Sequence, residues 1–461
     1  MLIDTLLLSR IQFAFTISFH ILFPAFSIGL STFLVIMEGL WLKTRNPLYL
    51  SICKFWTKIF ALTFGMGIVS GIVMEFQLGT NWSGFTRAVG GILGVLFSYE
   101  VMTAFFVEAG FLGVMLFGWN RVSHKFHYFS TLLVFIGTTL SAYWIMSANT
   151  WMQHPIGYQE INGLFEPTNW LQIIFNPATY PRFIHMMLAC YISSAFVIIS
   201  VSALYLLKKR HLDFAKKCFS AAWIALLFLT PLQIVVGDVA GIKVHENQPI
   251  KTAAMEGIWN NQKGAPLLLF ALPDQKNQTN HFQLGIPHLS SLLNTHQWNG
   301  EMQGLKSVSV SDQPRVSVVF FSFRIMIMIG FMMFFLAICA FYLRIKNRLY
   351  TTDWFLKICV LSAPLGFMAL WAGWITAEIG RQPWIVYGLL RTSEAVSHVL
   401  LSNIIIGFIL IIVVYGIIFG VFYFYYLNKI IRKGPEALNL IDNKIPFQYM
   451  PVNAEMEPKK P

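Results

Sequence analysis

Residues 318–343 read VVFFSFRIMIMIGFMMFFLAICAFYL, an apolar run in which Arg324 is the only charged residue. An α-helix of about 20 apolar residues crosses the roughly 30 Å hydrocarbon core of a bilayer. Similar runs recur along the 461-residue chain, which is 56% hydrophobic and only 12% charged. A soluble protein of this length needs more charged surface, and the strict alternation of a membrane β-barrel is lacking. The sequence therefore predicts an all-α, polytopic membrane helical bundle.

Nine apolar runs are long enough to be transmembrane helices. Their approximate bounds are 11–41, 52–77, 91–119, 127–147, 182–207, 218–240, 318–343, 355–377 and 400–428. Lysine and arginine concentrate in the connections after the first, third, fifth, seventh and ninth runs, and are sparse in the other short connections. Because cytoplasmic loops carry an excess of these residues, the N-terminus is expected outside and the C-terminus in the cytoplasm. The net charge of +12 is thus explained by membrane topology and does not indicate nucleic-acid binding.

The runs divide the chain into four parts. These are six transmembrane helices at 1–240, a polar outside connection at 241–317, three transmembrane helices at 318–430 and a cytoplasmic tail at 431–461. The five cysteines are scattered without a CxxC pair, so the sequence indicates no disulfide, zinc site or covalent heme attachment.

Ionisable residues inside membrane spans are costly and point to function. His20 lies about 14 Å into the first run from its outer end, at 1.5 Å per helical residue. It is either a histidine hydrogen-bonded within the bundle or a metal or heme ligand through its neutral imidazole.

His185 and Met326 lie near the outer ends of the fifth and seventh runs, and so at similar depth. A histidine opposite a methionine is a ligand pair of low-spin, electron-transferring heme. Methionine is also a common core residue, which is the competing interpretation of Met326. Arg324 requires an anion, which could be a heme propionate or a carboxylate elsewhere in the chain.

Two carboxylates, Glu100 and Glu108, lie within the third run. In a regular helix their eight-residue spacing separates them by about 12 Å along the axis and about 80° around it. This arrangement suits a proton relay from the cytoplasm to a site in the outer half of the membrane. The alternative is a pair of protonated acids that hold helices together.

Glu378 and Arg381 lie in GWITAEIGRQPW, residues 373–384, at the outer end of the eighth run. Their spacing is that of an ion pair at a helix end. Glu378 nevertheless lies at the same membrane level as the other candidate ligands, so it is also a candidate ligand. The following Pro-Trp pair is expected to stop the helix and place it at the interface.

Lys251 and Glu256 lie in GDVAGIKVHENQPIKTAAMEGIW, residues 237–259 of the outside connection. Charged residues in a loop are usually solvated. At this place they could instead receive an amphipathic reductant from the membrane and release its protons outward.

Seven segments in the same order resemble subunit I of the cytochrome bd quinol oxidases. They are RIQFAFTISFH, MEFQLGTNWSGF, the run with Glu100 and Glu108, RFIH, GDVAG…QPIK…E, SFRIM and GRQPW.

The resemblance implies a respiratory terminal oxidase that takes electrons from quinol and reduces O2 to water. It implies low-spin heme b558, high-spin heme b595 and heme d, and no copper. It further implies a multi-pass location in the bacterial cytoplasmic (inner) membrane, a second integral subunit (subunit II) and a small third subunit. Protons taken from the cytoplasm would create a membrane potential without pumping.

The resemblance also implies roles for the candidate ligands. His185 and Met326 would hold the iron of heme b558, His20 the iron of heme d, and Glu378 the iron of heme b595. Glu100 would act at the high-spin pair as a ligand or a proton donor.

The remaining candidates receive roles by the same resemblance. Glu108 would lie below Glu100 on the proton path. Arg324 and Arg381 would neutralise heme propionates, and Lys251 and Glu256 would bind quinol in the outside connection, the family's Q-loop.

The Q-loop is short beyond Trp259 and lacks the large insertion of the longer type, and short-loop members include cyanide-insensitive oxidases. A heme-copper oxidase and a bis-histidine cytochrome b need more intramembrane histidines than this sequence offers. A secondary transporter or ion channel would explain the intramembrane carboxylates but not His185, Met326 and GRQPW.

Overall fold

The computed structural model describes residues 4–436, so most of the expected tail at 431–461 lies outside the described residues. The described chain is built mainly of α-helices. Helices α1 to α8 are Thr5–His20, Leu22–Thr44, Pro47–Thr80, Ser83–Thr103, Gly110–Phe117, His124–Gln153, Trp170–Ile174 and Thr179–Leu207. Helices α9 to α16 are Leu212–Asn247, Pro249–Glu256, Leu289–Thr295, Val316–Ile345, Asp353–Leu361, Leu365–Ile379, Leu401–Val414 and Phe424–Lys433. Two π-helical segments, Ala104–Ala109 and Tyr415–Tyr423, join α4 to α5 and α15 to α16.

Four small antiparallel sheets of two strands each supplement the helices. Their strands are β1 Tyr158–Ile161, β2 Leu164–Pro167, β3 Gln262–Lys263, β4 Leu267–Asp274, β5 Thr279–Ile286, β6 Glu301–Met302, β7 Trp384–Val386 and β8 Leu390–Arg391. The pairs are β1 with β2, β3 with β6, β4 with β5 and β7 with β8. All of them lie in connections between the long helices.

Eight helical stretches of the described residues are long and apolar enough to cross a membrane. They contain, in order, α1–α2, α3, α4–α5, α6, α8, α9, α12 and α15–α16. A ninth crossing results if α13 and α14, which are bent by 40° relative to each other, are counted as one span. The prediction of an all-α, polytopic membrane bundle is confirmed.

The first membrane stretch is interrupted immediately after His20. Helix α1 ends at this histidine and α2 begins at Leu22. Proline at position 24 has no N–H to bond the carbonyl of the residue four places earlier, which is His20. The interruption therefore follows from the sequence and lies beside a candidate ligand.

The bend between α13 and α14 occurs at residues 362–364 and contains Pro364. Proline disfavours the helical conformation of the preceding residue and supplies no N–H of its own. Two carbonyls near the bend accept hydroxyl hydrogen bonds. Ser362 Oγ donates to the Cys359 carbonyl at 2.7 Å, and Ser200 Oγ on α8 donates to the Val360 carbonyl at 2.7 Å.

Helix α8 occupies the centre of the bundle, where it packs against α2, α6, α9, α13 and α14. Its approach to α2 is close at Gly29, where a Cβ would lie 2.2 Å from Ser194 Oγ. The largest buried cluster joins α2, α3, α8, α9, α12 and α13, with Trp56, Phe60, Phe196, Phe219 and Phe355 among its fully buried members.

Helix α9 continues to Asn247, beyond the boundary of 240 expected from hydropathy. Hydropathy marks where a chain leaves the hydrocarbon, whereas a helix continues as long as its backbone hydrogen bonds do. Helix α10 follows almost directly, with Pro249 at its start. The beginning of the long connection is therefore helical.

Candidate functional site

One face of α6 carries polar side chains that contact carboxylates from two other membrane stretches. Ser141 Oγ donates to Glu100 Oε1 at 2.8 Å. About two and three turns further along α6, Asn149 Nδ2 and Gln153 Nε2 donate to Glu378 Oε1 at 2.9 and 3.2 Å. Helix α6 therefore brings the predicted residues Glu100 and Glu378 to one side of the same helix.

Three cationic side chains surround Glu378. Arg381 Nη2 forms an ion pair with Glu378 Oε2. Arg182 on α8 donates to Asn149 Oδ1 at 2.5 Å, and Lys251 on α10 donates to Gln153 Oε1 at 2.5 Å. We call Arg182, Lys251, Glu378 and Arg381 the Glu378 cluster.

The Glu378 cluster has an excess of positive charge. Burial, followed by the positive charges of Arg182 and Arg381, lowers the pKa of Lys251 well below its usual range, although Glu378 opposes this shift. Arg381 Nε and Nη1 are buried and have no hydrogen-bond partner within residues 4–436. Buried donors without partners are rare and costly, so the cluster is suited to bind additional anionic groups.

His185 and Met326, the predicted pair, lie on α8 and α12, and each of these helices packs against both α9 and α14. A Cβ at Gly237 of α9 would lie 3.3 Å from His185 Cε1, and a Cβ at Gly373 of α14 would lie 2.8 Å from Met326 Sδ. His185 Nδ1 is buried without a hydrogen-bond partner in the described part of the chain.

His20 has a similar setting at the end of α1. Its Nδ1 lies 2.9 Å from Ser70 Oγ on α3, and its Cε1 would lie 3.2 Å from a Cβ at Gly71. Each of the three predicted His and Met ligands thus faces a helical glycine. A larger residue at these glycines would displace the candidate ligand.

Glu108 lies in the π-helical segment, with a Cβ at Gly137 of α6 falling 2.6 Å from its Cγ. The residue is buried, and Oε1 has no hydrogen-bond partner among the described residues. A π-turn contains an extra residue, so the angle of about 80° between Glu100 and Glu108, which assumes a regular α-helix, does not apply. Segments of this kind are frequent at functional sites.

Arg324 is paired with a carboxylate of the chain itself. Its Nη2 lies 3.6 Å from Glu256 Oε2, and its Nε donates to the Leu268 carbonyl at 2.7 Å. Its guanidinium also lies 3.4 Å from the centre of the Phe320 ring. Burial raises the pKa of Glu256, and the charge of Arg324 opposes that rise.

The structure separates the predicted quinol residues. Lys251 belongs to the Glu378 cluster, whereas Glu256, five residues later, contacts Arg324. Five residues of an α-helix rotate a side chain by about 140° to the other side of the helix. Helix α10 therefore connects the Glu378 cluster with Arg324, and both of its ionisable side chains are buried.

Several polar residues of these sites escaped the sequence interpretation. Asn149 and Gln153 are uncharged and gave no signal. Arg182, Glu75 and Glu38 are ionisable residues in or at the ends of apolar runs, and the rule that such residues are functional would have found them. Glu75 on α3 lies close enough to Glu100 for their charges to interact.

Comparisons with known proteins agree on one family. The family model described as cytochrome bd terminal oxidase subunit I matches residues 8–435. The chain is 36% identical to cytochrome bd ubiquinol oxidase subunit 1 of Bacillus subtilis (strain 168), over 98% of each chain. It is 32% identical to cytochrome bd-II ubiquinol oxidase subunit 1 of Escherichia coli (strain K12), over 94% of this chain and 98% of that one. The solved structure of bd oxidase from Geobacillus thermodenitrificans superposes with a TM-score of 0.87 at 28% identity, over 94% of this chain and 99% of that chain.

Proposed function

The chain belongs to the family of cytochrome bd terminal oxidase subunit I, and from this premise we propose how its residues divide the reaction. As a family member it is a subunit of a respiratory terminal quinol oxidase, a quinol:O2 oxidoreductase of the membrane. The family also implies heme cofactors and a complex with subunit II. The finer assignments below are the proposal.

The Glu378 cluster is the observation that carries this proposal. It places three cationic side chains around one carboxylate, and it contains buried guanidinium N–H groups without partners in the described residues. Heme propionates are anions that such donors bind well. A structural ion pair would leave no excess charge, whereas a propionate-binding site requires it.

The residues present fit the hemes that the family implies. We propose His185 and Met326 as the ligands of heme b558, His20 as the ligand of heme d, and Glu378 as the ligand of heme b595. When bound, heme iron supplies single-electron transfer and the reduction of O2. The glycines that face His20, His185 and Met326 give each side chain room to turn towards a ligand.

Arg381 and Arg324 are proposed to neutralise heme propionates. Besides its ion pair with Glu378, Arg381 has two buried donors that no group in residues 4–436 accepts from, and these suit this purpose. Arg324 would share its charge between a propionate and Glu256. Glu100, which accepts a hydrogen bond from Ser141, is proposed as a further ligand or as the last proton donor.

Quinol is proposed to bind at α10, where Lys251 and Glu256 lie. Oxidation of quinol releases protons, which a nearby base has to accept. Because its pKa is lowered, Lys251 loses its proton more readily than an ordinary lysine, and its neutral amine can serve as that base. Because α10 also contacts the Glu378 cluster and Arg324, the quinol site would lie directly beside the propionate-binding residues.

Protons for water formation are proposed to move from the cytoplasm past Glu108 to Glu100. This direction assumes the N-terminus outside and the C-terminus inside, as the distribution of lysine and arginine indicates. Quinol oxidation outside and proton uptake inside would create a membrane potential without pumping.

The proposed setting is the bacterial cytoplasmic (inner) membrane. There the chain would contact lipid, subunit II and a small third subunit, and would take up quinol and O2. The Q-loop of the proposal is residues 241–317, between the helices of 1–240 and those of 318–430.

An optical spectrum of the purified complex tests the proposal, together with quantification of the extracted heme types. Reduced-minus-oxidised bands of heme b558, b595 and d are expected. His185→Ala should remove the heme b558 band and leave the others, whereas His281→Ala, at an exposed histidine of β5, should change none. Absence of all heme bands would refute the proposal and favour a transporter, and an unchanged spectrum of His185→Ala would refute that ligand assignment.

A further inference from the structure

A buried carboxylate and a buried histidine form a pair between α2 and α6. Glu38 Oε1 lies 2.6 Å from His127 Nδ1, and each side chain is only 2% exposed. Thr131 Oγ1 donates to Glu38 Oε2 at 2.7 Å, and His127 Nε2 lies 3.1 Å from the Met115 carbonyl. The pair lies at the end of the bundle where the basic connections are, on the side that the proposed orientation assigns to the cytoplasm.

The hydrogen-bond partners of His127 require that it and Glu38 share one hydrogen. A carbonyl oxygen only accepts, so the Met115 carbonyl requires a hydrogen on Nε2. The short contact between Nδ1 and Glu38 Oε1 needs a second hydrogen, carried by one atom or the other. The pair is therefore imidazolium with carboxylate or imidazole with carboxylic acid. Transfer of one proton over 2.6 Å converts one form into the other and removes both buried charges.

Polar side chains continue from the pair towards Glu108. Ser31, seven residues before Glu38 on α2, and Thr138, eleven residues after His127 on α6, lie 3.4 Å apart, hydroxyl to hydroxyl. Gly137 contacts Glu108, and Ser141 donates to Glu100. Positions 127, 131, 138 and 141 of α6 share one face, because helical neighbours recur every three or four residues. Between Thr131 and Thr138 this face carries the fully buried Val134. Water would have to bridge the polar groups on either side of it.

Other titratable and charged groups surround the pair. His124, at the first position of α6, is half-buried and meets the Trp41 ring edge to face, with ring centres 4.8 Å apart. It also interacts electrostatically with Arg45 and with the pair. Cys53 on α3 lies close enough to Glu38 for the two groups to interact electrostatically. The ring of Trp119 covers His127 at 3.9 Å. His124 thus lies at the end of α6 next to the pair and is less buried than either of its members.

We infer that Glu38 and His127 receive protons from the cytoplasmic water and pass them along the α2–α6 seam to Glu108. This inference rests on the proposed function, and it extends the proton path to the membrane surface. In each transfer a proton arriving at the pair replaces the one that leaves towards Ser31 and Thr138. No electron moves, and the pair returns to its starting protonation. The competing interpretation is an ion pair that only holds α2 against α6.

The assembled oxidase with Glu38→Gln tests this inference. Glutamine keeps the shape and can still accept the hydrogen bond from Thr131, but it carries no acid proton. Quinol oxidation should slow by about tenfold or more, with a larger solvent deuterium isotope effect and with unchanged heme content and quinol KM. His127→Gln should give the same result. Ser194→Ala removes a neutral hydrogen bond between α8 and the Phe26 carbonyl of α2, and it should turn over like the wild type.

Wild-type turnover and isotope effect in Glu38→Gln would overturn the inference. In variants that assemble, a loss of activity that only matches the loss of heme would overturn it too. If Glu38→Gln does not assemble, Glu38→Asp provides the test, because it keeps the acid but lengthens the contact. It should show slower turnover and a raised isotope effect, and a wild-type isotope effect would contradict the inference. A wild-type complex without heme or oxidase activity would instead refute the proposed function.

Discussion

Glu108 has the surroundings of a proton carrier. It is buried in a π-helical segment against Gly137, and one of its oxygens has no partner within the described chain. A carboxyl group with a free oxygen can accept a proton without breaking an existing hydrogen bond. Glu108→Gln should therefore slow O2 reduction by about tenfold or more and leave the heme spectra largely unchanged. Oxygen uptake and optical spectra of the same preparation provide the measurement.

An exposed carboxylate serves as the control for Glu108→Gln. Glu160 on β1 is exposed, so Glu160→Gln changes the same functional group without affecting the bundle interior. It should retain wild-type oxygen uptake. Full activity of Glu108→Gln would remove this residue from the proton path.

At the scale of single residues, the sequence predicted which residues need a partner better than it predicted what they contact. Arg324 and Arg381 were expected to need anions, and the structure places Glu256 and Glu378 beside them. The sequence could not show that Asn149 and Gln153 of α6 bind Glu378, because that contact joins residues more than 200 positions apart. Uncharged amides give no hydropathy signal that would mark them.

At the scale of helices, the crossing of α12 and α14 determines the position of Met326. A Cβ at Gly373 would lie 2.8 Å from Met326 Sδ. Because a methionine side chain is flexible, Gly373→Ala should displace the sulfur and leave the helices packed. The heme b558 band should shift or weaken, while the other heme bands and the thermal midpoint change little. Optical spectra and thermal unfolding of the complex provide the measurement.

Gly330 supplies the matched control on α12. A Cβ at this position meets no described atom within 4 Å, so Gly330→Ala adds a methyl group in open space. Its spectrum should equal that of the wild type. An unchanged heme b558 band in Gly373→Ala would show that Met326 is not held by this crossing.

The turn between β4 and β5 depends on one carboxylate. Hydrogen bonds from the side chain and the backbone N–H of Asn277 lower the pKa of Asp274 to about 2. An unfolded aspartate has a pKa of about 3.9. A lowered folded pKa contributes stability that is present above about pH 4 and is lost as the pH falls through about 2. Pepsin cleavage within 274–279 should therefore increase between pH 4 and pH 2.

The variant Asp274→Ala is the comparison for this acid transition. It lacks the carboxylate, so cleavage of its turn should already be fast at pH 4 and should rise less towards pH 2. Cleavage elsewhere in the chain serves as the internal standard for protease activity. Equal pH profiles of the wild type and the variant would contradict the role of Asp274.

At the scale of the whole molecule, hydropathy predicted the bundle because each membrane helix must be apolar over a fixed length. The interruptions beside Pro24 and Pro364 also follow from the sequence, since proline lacks an N–H. The extension of α9 to Asn247 and the helix α10 could not be predicted from hydropathy, because these residues lie beyond the apolar runs. The arrangement of helices around α8 depends on how pairs of helices pack together, and a single sequence shows no pattern from which this packing can be read.

The whole complex should generate a membrane potential in liposomes during quinol oxidation. In the proposed path each proton that passes Glu108 is consumed in water formation, so none is left to be pumped. The protons released outside should therefore not exceed those that the quinol carries. A voltage-sensitive dye measures the membrane potential, and the external pH measures the protons released. More protons outside than the quinol carries would contradict the proposal.

The bend between α13 and α14 has a consequence for biogenesis. The Val360 carbonyl at the bend accepts its hydrogen bond from Ser200 of α8, not from its own span. A carbonyl without a donor is costly in hydrocarbon. During translation α8 leaves the ribosome before α13 and α14 do, so the Ser200 hydroxyl is already present when the bent pair is synthesised. Insertion of the bent pair beside α8 would therefore satisfy this carbonyl, and insertion away from α8 would leave it without a donor in the hydrocarbon.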